Sequence, residues 1–234
     1  MRVLALDTTT REGSVALVED DRIIAEQSGD GTRSHAERLP GDLMRLLAAH
    51  QQDSAAIDLF AVVAGPGSFT GLRIGIATMQ GLAFVHHRRI VAVSALEALA
   101  HTASRRLDAG SLVAAWIDAH RHEVFSALYE VAEAPLFTAG RLLEVEPPAV
   151  GPPSTFLAGW GNRQVAAFIG DGASAYAPLI AGKGSLLQTP LLAGAAGLMA
   201  ARERHSAVDP ARVQPIYVRR PDAEMARERD RARS

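Results

Sequence analysis

The sequence predicts an α/β protein of two similar lobes, each a mixed sheet with flanking helices. Three observations carry that prediction. Short apolar runs bounded by turn residues alternate with segments whose leucines recur at helical intervals. The opening Leu4-Ala5-Leu6-Asp7, followed by an apolar run over residues 14–18, returns as Ala115-Trp116-Ile117-Asp118 followed by residues 124–129. Superimposing Asp7 on Asp118 also matches Glu12 with Glu123, Ala16-Leu17 with Ala127-Leu128 and Glu19 with Glu130. Each half then carries a strand-like run that enters a Gly-rich breaker, residues 59–64 into Gly65-Pro66-Gly67 and Ala167-Phe168-Ile169 into Gly170-Asp171-Gly172.

The elements follow in order. Residues 3–6, 14–18 and 22–26 read as three strands with tight connections. Ser34-His35-Ala36-Glu37 has capping-box spacing, and Leu39, Leu43, Leu46 and Leu47 place a helix behind it as far as Gln51, with Pro40 expected to bend its first turns or shift its start. A buried strand over 59–64, a breaker at 65–68, a helix over 69–85 and a strand over 90–93 complete a first lobe at residues 1–105. Residues 105–110 read as a hinge, and 106–212 as the second lobe, with a Pro- and Gly-containing loop at 144–153 and an Ala-rich helix at 191–204. Residues 213–234 are expected to form an extended arm or edge strand and then a charged surface tail.

Composition narrows the function. With 234 residues, 48% hydrophobic and 21% charged, the chain can bury real cores, which excludes a disordered or fibrous protein. Twenty-four Lys+Arg against 26 Asp+Glu give a net charge of −2, so no global positive field draws in nucleic acid and an RNA role would need a partner. Zero cysteines exclude disulfides, thiolate nucleophiles and Cys-ligated zinc. The opening apolar run is broken by Asp7 before it could be a signal sequence, and no run is long enough to span a bilayer, so a cytoplasmic protein without membrane attachment is expected.

A duplicated lobe whose first strand ends in Asp is the plan of the actin, Hsp70 and sugar-kinase (ASKHA) superfamily, in which two such turns face each other across a nucleotide cleft. Asp7, Thr8, Thr9 and Asp118 are therefore candidate nucleotide-cleft residues for a small ATPase or kinase. Against that, Asp118-Ala119-His120-Arg121-His122-Glu123 contains no Gly, and either Asp can simply cap its own turn. Gly65-Pro66-Gly67-Ser68 is not a Walker loop, since it lacks the Lys-Ser/Thr pair. His120 and His122 with Asp118 and Glu123 are ligand types without ligand geometry, and no metal or other cofactor is expected. The helix after the breaker carries Gly71, Gly75 and Gly81; Gly71, Gly75, Thr78 and Leu82 share one face and form a shallow strip for close approach of a helix, from the same lobe or from a partner.

The strip Gly65-Pro66-Gly67-Ser68-Phe69-Thr70-Gly71-Leu72-Arg73-Ile74-Gly75, with Leu4-Ala5-Leu6-Asp7-Thr8-Thr9, Ser14-Val15-Ala16-Leu17, His35-Ala36-Glu37-Arg38-Leu39-Pro40 and Pro215-Ile216-Tyr217-Val218-Arg219, closely resembles the bacterial TsaB (YeaZ) family over nearly the whole chain. The resemblance implies the two-lobed ASKHA fold and a place in the machinery that puts N6-threonylcarbamoyl on adenosine 37 of tRNA. It implies an accessory subunit rather than an enzyme, working with the transferase TsaD and the ATPase TsaE on an adenylate made by TsaC, touching tRNA only through the complex and forming a homodimer when alone. TsaD carries a His-x-x-x-His metal pair after the next strand; the matching positions here are Ala95 and Leu99, which ligate nothing and also argue against a metallopeptidase. The resemblance places the TsaD contact on the two first-lobe helices, through His35, Arg38, Leu39, Leu43 and Leu46 on one and Phe69, Gly71, Leu72, Arg73, Gly75, Thr78 and Leu82 on the other. On this reading Gly75→Leu breaks the heterodimer and leaves the chain folded.

Overall fold

The computed structural model describes residues 1–219. The charged tail expected beyond Arg219 lies outside the described residues.

The first sheet is built from β1 (Arg2–Asp7), β2 (Ser14–Glu19), β3 (Arg22–Ser28), β4 (Leu59–Gly65) and β5 (Ile90–Ser94), in the order β3-β2-β1-β4-β5. The second holds β6 (Leu112–Asp118), β7 (Val124–Val131), β8 (Leu142–Gly151), β9 (Val165–Ile169) and β10 (Ser185–Leu186), in the order β8-β7-β6-β9-β10. The two orders correspond strand for strand, and in both the first three strands are antiparallel while the fourth and fifth run parallel to the first. The internal repeat seen in the sequence is thus a duplicated topology, the two-lobed ASKHA arrangement.

Helices α1 (His35–Ala49) and α2 (Phe69–Val85) cover the outer face of the first sheet. The outer face of the second is covered by α4 (Pro153–Trp160), α5 (Asp171–Ala175) and α6 (Ala177–Ile180) around Trp116, Trp160 and Phe168. Between the sheets lie α3 (Ala95–Ala103) and α7 (Ala193–Arg202), so one central core joins Val3 and Ala5 of β1 to Val113, Ala115 and Ile117 of β6. Because β1 is buried on both faces, its side chains read as a continuous apolar run rather than an alternation.

Four expectations need correction. The segment read as a loop at 144–153 is largely β8; Pro147 and Pro148 sit there because β8 is an edge strand whose only partner among the described residues is β7, with register shifts at Leu128. The α1 start stays at His35 despite Pro40, since Glu37 Oε2 accepts from the Ser34 N–H (2.9 Å) and hydroxyl (2.8 Å) and holds the first turn. Residues 213–218 form no strand; they run extended, with the Ile216 N–H donating to the Ala64 carbonyl at 2.7 Å. Finally, the second lobe of the sequence is not a second lobe in space throughout. Helix α7 lies against β1, β2 and β4 of the first sheet, and Val208 then pairs with Ile90 on the edge of β5.

Candidate functional site

Strands β1 and β6 end at Asp7 and Asp118, and the turns beyond them open onto a cleft between the lobes with a cavity of about 1040 Å³. Thr9, Thr10, Asp118 and Asp171 line it, together with the first turn of α2 and the arm residues Ile216, Tyr217 and Arg219.

Asp7 does not face this space. It is buried, and its Oδ1 accepts from the Thr9 N–H (2.8 Å) and hydroxyl (2.7 Å), so it caps its own turn. Burial pushes its carboxyl above the ordinary aspartate range against those two bonds, and the like charge of Asp171 adds to the rise. Asp118 likewise caps its turn through the His120 N–H at 2.9 Å, and its own N–H donates to Asp171 Oδ1 at 3.0 Å. Burial raises the Asp171 carboxyl, and Asp118 raises it further. Of the four nucleotide-cleft candidates, Thr9 and Asp118 reach the cavity, whereas Asp7 and Thr8 turn into the protein.

The reason Thr8 turns inward lies in α2. A Cβ at Gly71 would stand 2.2 Å from the Thr8 carbonyl oxygen, and one at Gly75 would stand 2.2 Å from Thr8 Oγ1. The glycine strip is therefore filled by the β1 turn of its own lobe, and neither glycine is open to a partner helix. Gly75→Leu is consequently no clean test of an interface, because it would first displace the turn.

The same correction applies along α1. Leu39, Leu43 and Leu46 are core residues of the lobe, and Leu72 of α2 is equally buried. Arg38 is buried with its guanidinium on Asp42, on the Glu12 carbonyl and on His35 Nδ1. An arginine only donates, so His35 accepts at Nδ1 and its Nε2–H meets the Thr10 carbonyl at 3.0 Å; burial, reinforced by Arg38, lowers the imidazole's pKa. His35 and Arg38 thus pin the β1–β2 loop onto α1 instead of facing outward.

What α1 and α2 do present is a different set. Phe84 is 73% exposed, Val85 69% and Met44 58%, with Ala48, Ala77 and Gly81 beside them at exposed positions. Of the named interface candidates, Phe69 and Arg73 are exposed and Thr78 and Leu82 are half-buried. Arg73 lies over the Phe69 ring (4.0 Å to the centroid), Phe69 stacks on Tyr217 (5.5 Å), and Arg73 Nε donates to the Tyr217 hydroxyl at 3.2 Å. Met44, Phe84 and Val85 were missed, although one signal was available. Arg73 is the sole charged side chain of α2, and a helix apolar all round is one that is covered on every side.

The family model of TsaD, tRNA N6-adenosine threonylcarbamoyltransferase, matches residues 22–142. The chain is 38% identical over 130 residues to the tRNA threonylcarbamoyladenosine biosynthesis protein TsaB of Escherichia coli, a match that covers 56% of this chain and 55% of that protein. It is 36% identical over 132 residues to the TsaB of Bacillus subtilis, covering 56% of each. The chain thus spans about half the length of these curated relatives. The solved structure of YeaZ from Pseudomonas aeruginosa superimposes with a TM-score of 0.73 at 31% identity, covering 92% of this chain and 99% of that one.

Proposed function

We propose, from the premise that this chain belongs to the TsaB/YeaZ family, that it is a non-catalytic subunit of the machinery that makes N6-threonylcarbamoyladenosine in tRNA. It dimerises with TsaD through α1 and α2, works with TsaE, and acts in the cytoplasm. The observation that carries this reading is the outer face of α1 and α2, where Met44, Phe84 and Val85 stand exposed on helices whose other sides are filled by their own lobe. Exposed apolar area of this kind is what a partner helix pair covers. Residue chemistry agrees: Ala95 and Leu99, at the positions matching the TsaD His-x-x-x-His pair, are buried in the central core. With the partner absent, the same face pairs two copies of this chain.

Threonylcarbamoyl transfer to tRNA, assayed with TsaD, TsaE and TsaC with and without this chain, tests the role. Product is expected only when TsaD and this chain are both present. Product from this chain alone, or full activity in its absence, would refute it. Phe84→Asp, at a side chain open to solvent, should leave the melting temperature unchanged and reduce TsaD capture by tenfold or more, since central apolar anchors dominate interfaces of this type. Undiminished capture would move the interface elsewhere.

A further inference from the structure

The subunit role proposed above lies on the outer face of α1 and α2 and leaves the cavity between the lobes without a use. Its volume of about 1040 Å³ is that of a small-molecule site, for which about 300–1,000 Å³ is usual. Apolar side chains such as Leu72, Ile117 and Phe125 line part of it. Four arginines from four separate segments line the same space: Arg11 after β1, Arg33 before α1, Arg121 in the β6–β7 turn and Arg219 in the arm. What groups them is this one cavity, not a lack of other partners, since Arg219 also holds the Glu123 carboxylate.

Two carboxylates line the cavity as well, Asp118 and Asp171, and both are engaged. Asp118 Oδ1 accepts from the His120 N–H (2.9 Å) while its Oδ2 faces His120 Nδ1 (3.3 Å), and Asp171 Oδ1 accepts from the N–H groups of Asp118 (3.0 Å) and Gly172 (2.8 Å). Four guanidiniums against two hydrogen-bonded carboxylates favour an anion, and arginine suits phosphate through its planar, paired donors. An aromatic wall adds a second preference. Phe69 and Tyr217 line the cavity at 40% and 41% exposure, and their rings are held in place: 5.5 Å apart, with Arg73 at 4.0 Å over Phe69 and its Nε on the Tyr217 hydroxyl at 3.2 Å. An open ring fixed in advance takes a stacked base at little cost in ordering. Phosphate and planar base together make a nucleotide.

This grip differs from the plan of the fold, in which aspartates at the strand ends reach the ligand. Asp7 is buried on the Thr9 N–H and hydroxyl, and among the described residues no three metal-ligating side chains come together. Phosphoryl transfer needs magnesium to neutralise the developing charge, so this set of side chains suits holding a nucleotide rather than cleaving it.

We propose that the interlobe cavity is a nucleotide site that works without a divalent metal, the base stacking on Tyr217 and the phosphates lying against Arg11 and Arg33. The ligand is a free nucleoside di- or triphosphate, bound and released unchanged. Nothing in this site depends on the TsaD contact, which Met44, Phe84 and Val85 supply.

Isothermal titration calorimetry on the full chain, in EDTA and then in magnesium, tests the site with ATP, ADP, adenosine and inorganic pyrophosphate as probes. ATP and ADP are expected to bind one per chain in EDTA, with adenosine and pyrophosphate each weaker by about tenfold or more because each brings half of the contacts. Tyr217→Ala should weaken ADP by roughly tenfold or more, as loss of a base stack requires, and Tyr217→Phe should stay near the parent. In the Ala variant the arm keeps its seat through the Ile216 N–H on the Ala64 carbonyl (2.7 Å) and Gln80 Nε2 on the carbonyls of Pro210 (2.7 Å) and Val213 (3.2 Å). Arg11→Gln combined with Arg33→Gln should weaken ADP by about tenfold or more and leave adenosine unchanged. Tyr217, Arg11 and Arg33 are exposed, so thermal melts of these variants should match the parent. Absence of ATP and ADP binding at millimolar concentration, binding unmoved by these substitutions, or binding that EDTA abolishes would each overturn the proposal. Pyrophosphate held as tightly as ADP, with Tyr217→Ala silent, would overturn the assignment to a nucleotide, and ADP formed from ATP in an arginine-dependent manner would overturn binding without turnover. TsaD capture is read separately through Phe84→Asp, so either reading can fail alone.

Discussion

Gly71, Gly75 and Gly81 share α2, where each costs helix stability relative to Ala by up to about 1 kcal/mol. Their surroundings separate them. A Cβ at Gly71 meets a backbone oxygen that cannot move without the β1 turn, whereas one at Gly81 meets nothing within 4 Å. Gly71→Ala should therefore destabilise the chain by about 2 kcal/mol, the usual cost of overpacking, and Gly81→Ala should stabilise it by about 0.5–1 kcal/mol. Urea unfolding midpoints of the two variants are expected to move in opposite directions; a common direction would mean that α2 can lift away from Thr8. His101 supplies a second residue-scale test. It is buried on α3 beside Phe137 and close to Arg141, and burial, then Arg141, lowers its pKa to about 4. The folded state then binds fewer protons than the unfolded one between about pH 4 and 6.5, so its contribution to stability is present above 6.5 and lost on acidification toward 4. Against a His101→Leu variant, the parent chain should lose on the order of 3 kcal/mol over that interval in denaturant unfolding at stepped pH. The raised carboxyls of Asp7, Glu26 and Asp171 work with the opposite sign in both chains and cancel from the difference.

At the scale of elements, α7 has its N-terminus satisfied from the other half of the chain. Ser14 Oγ accepts from the Ala193 N–H (3.0 Å) and Glu26 Oε1 from the Gly194 N–H (2.6 Å), standing in for the side-chain cap that Leu192 cannot provide. Glu26→Ala should cost about 1–2 kcal/mol, the range for a lost cap, and Glu26→Gln less because an acceptor remains. Equal loss for both variants would mean that the ionic charge, rather than the hydrogen bond, matters. This contact shows where sequence legibility ends. Strands, α1 and α2 were readable from period and caps, since those are local properties. The seat of α7 against the first sheet was not, because its small residues state only that something lies close, as Gly197 does against Val18. In β8 the prolines read as a loop for an equally local reason, since an edge strand tolerates them and only sheet order reveals an edge. The candidate site divided in the same way. Asp118 and Thr9 were found from turn position, but the inward or outward sense of Leu39, Leu43 and Gly75 depends on which neighbours fill the lobe.

Across the whole molecule, the arm at 213–219 ties together what the duplication left as two halves. Ile216 bonds Ala64 of the first sheet, Tyr217 stacks on Phe69 of α2, and Arg219 donates to the Ala119 carbonyl at 3.1 Å and to the Glu123 carboxylate of the second. The β6–β7 turn so clamped contains three successive non-glycine residues at positive φ: His120 (58°), Arg121 (54°) and His122 (63°). Each such residue costs roughly 1–2 kcal/mol, so the turn persists because its surroundings impose it. Three internal bonds contribute, His120 N–H to Asp118 Oδ1 (2.9 Å), Ala119 N–H to the Glu123 carbonyl (3.0 Å) and Glu123 N–H to the His120 carbonyl (3.0 Å), and Arg219 grips both ends of the same turn. Arg219→Ala should therefore raise amide hydrogen exchange through residues 119–123 by tenfold or more, equivalent to a local opening easier by about 1.4 kcal/mol, while β1 and α2 keep their protection. Arg219→Lys retains the charge without the two-pronged donor and should fall between. If exchange in the turn were unchanged by either substitution, its own hydrogen bonds would suffice to hold the strain, and Arg219 would tie the arm to the second lobe without stabilising the turn.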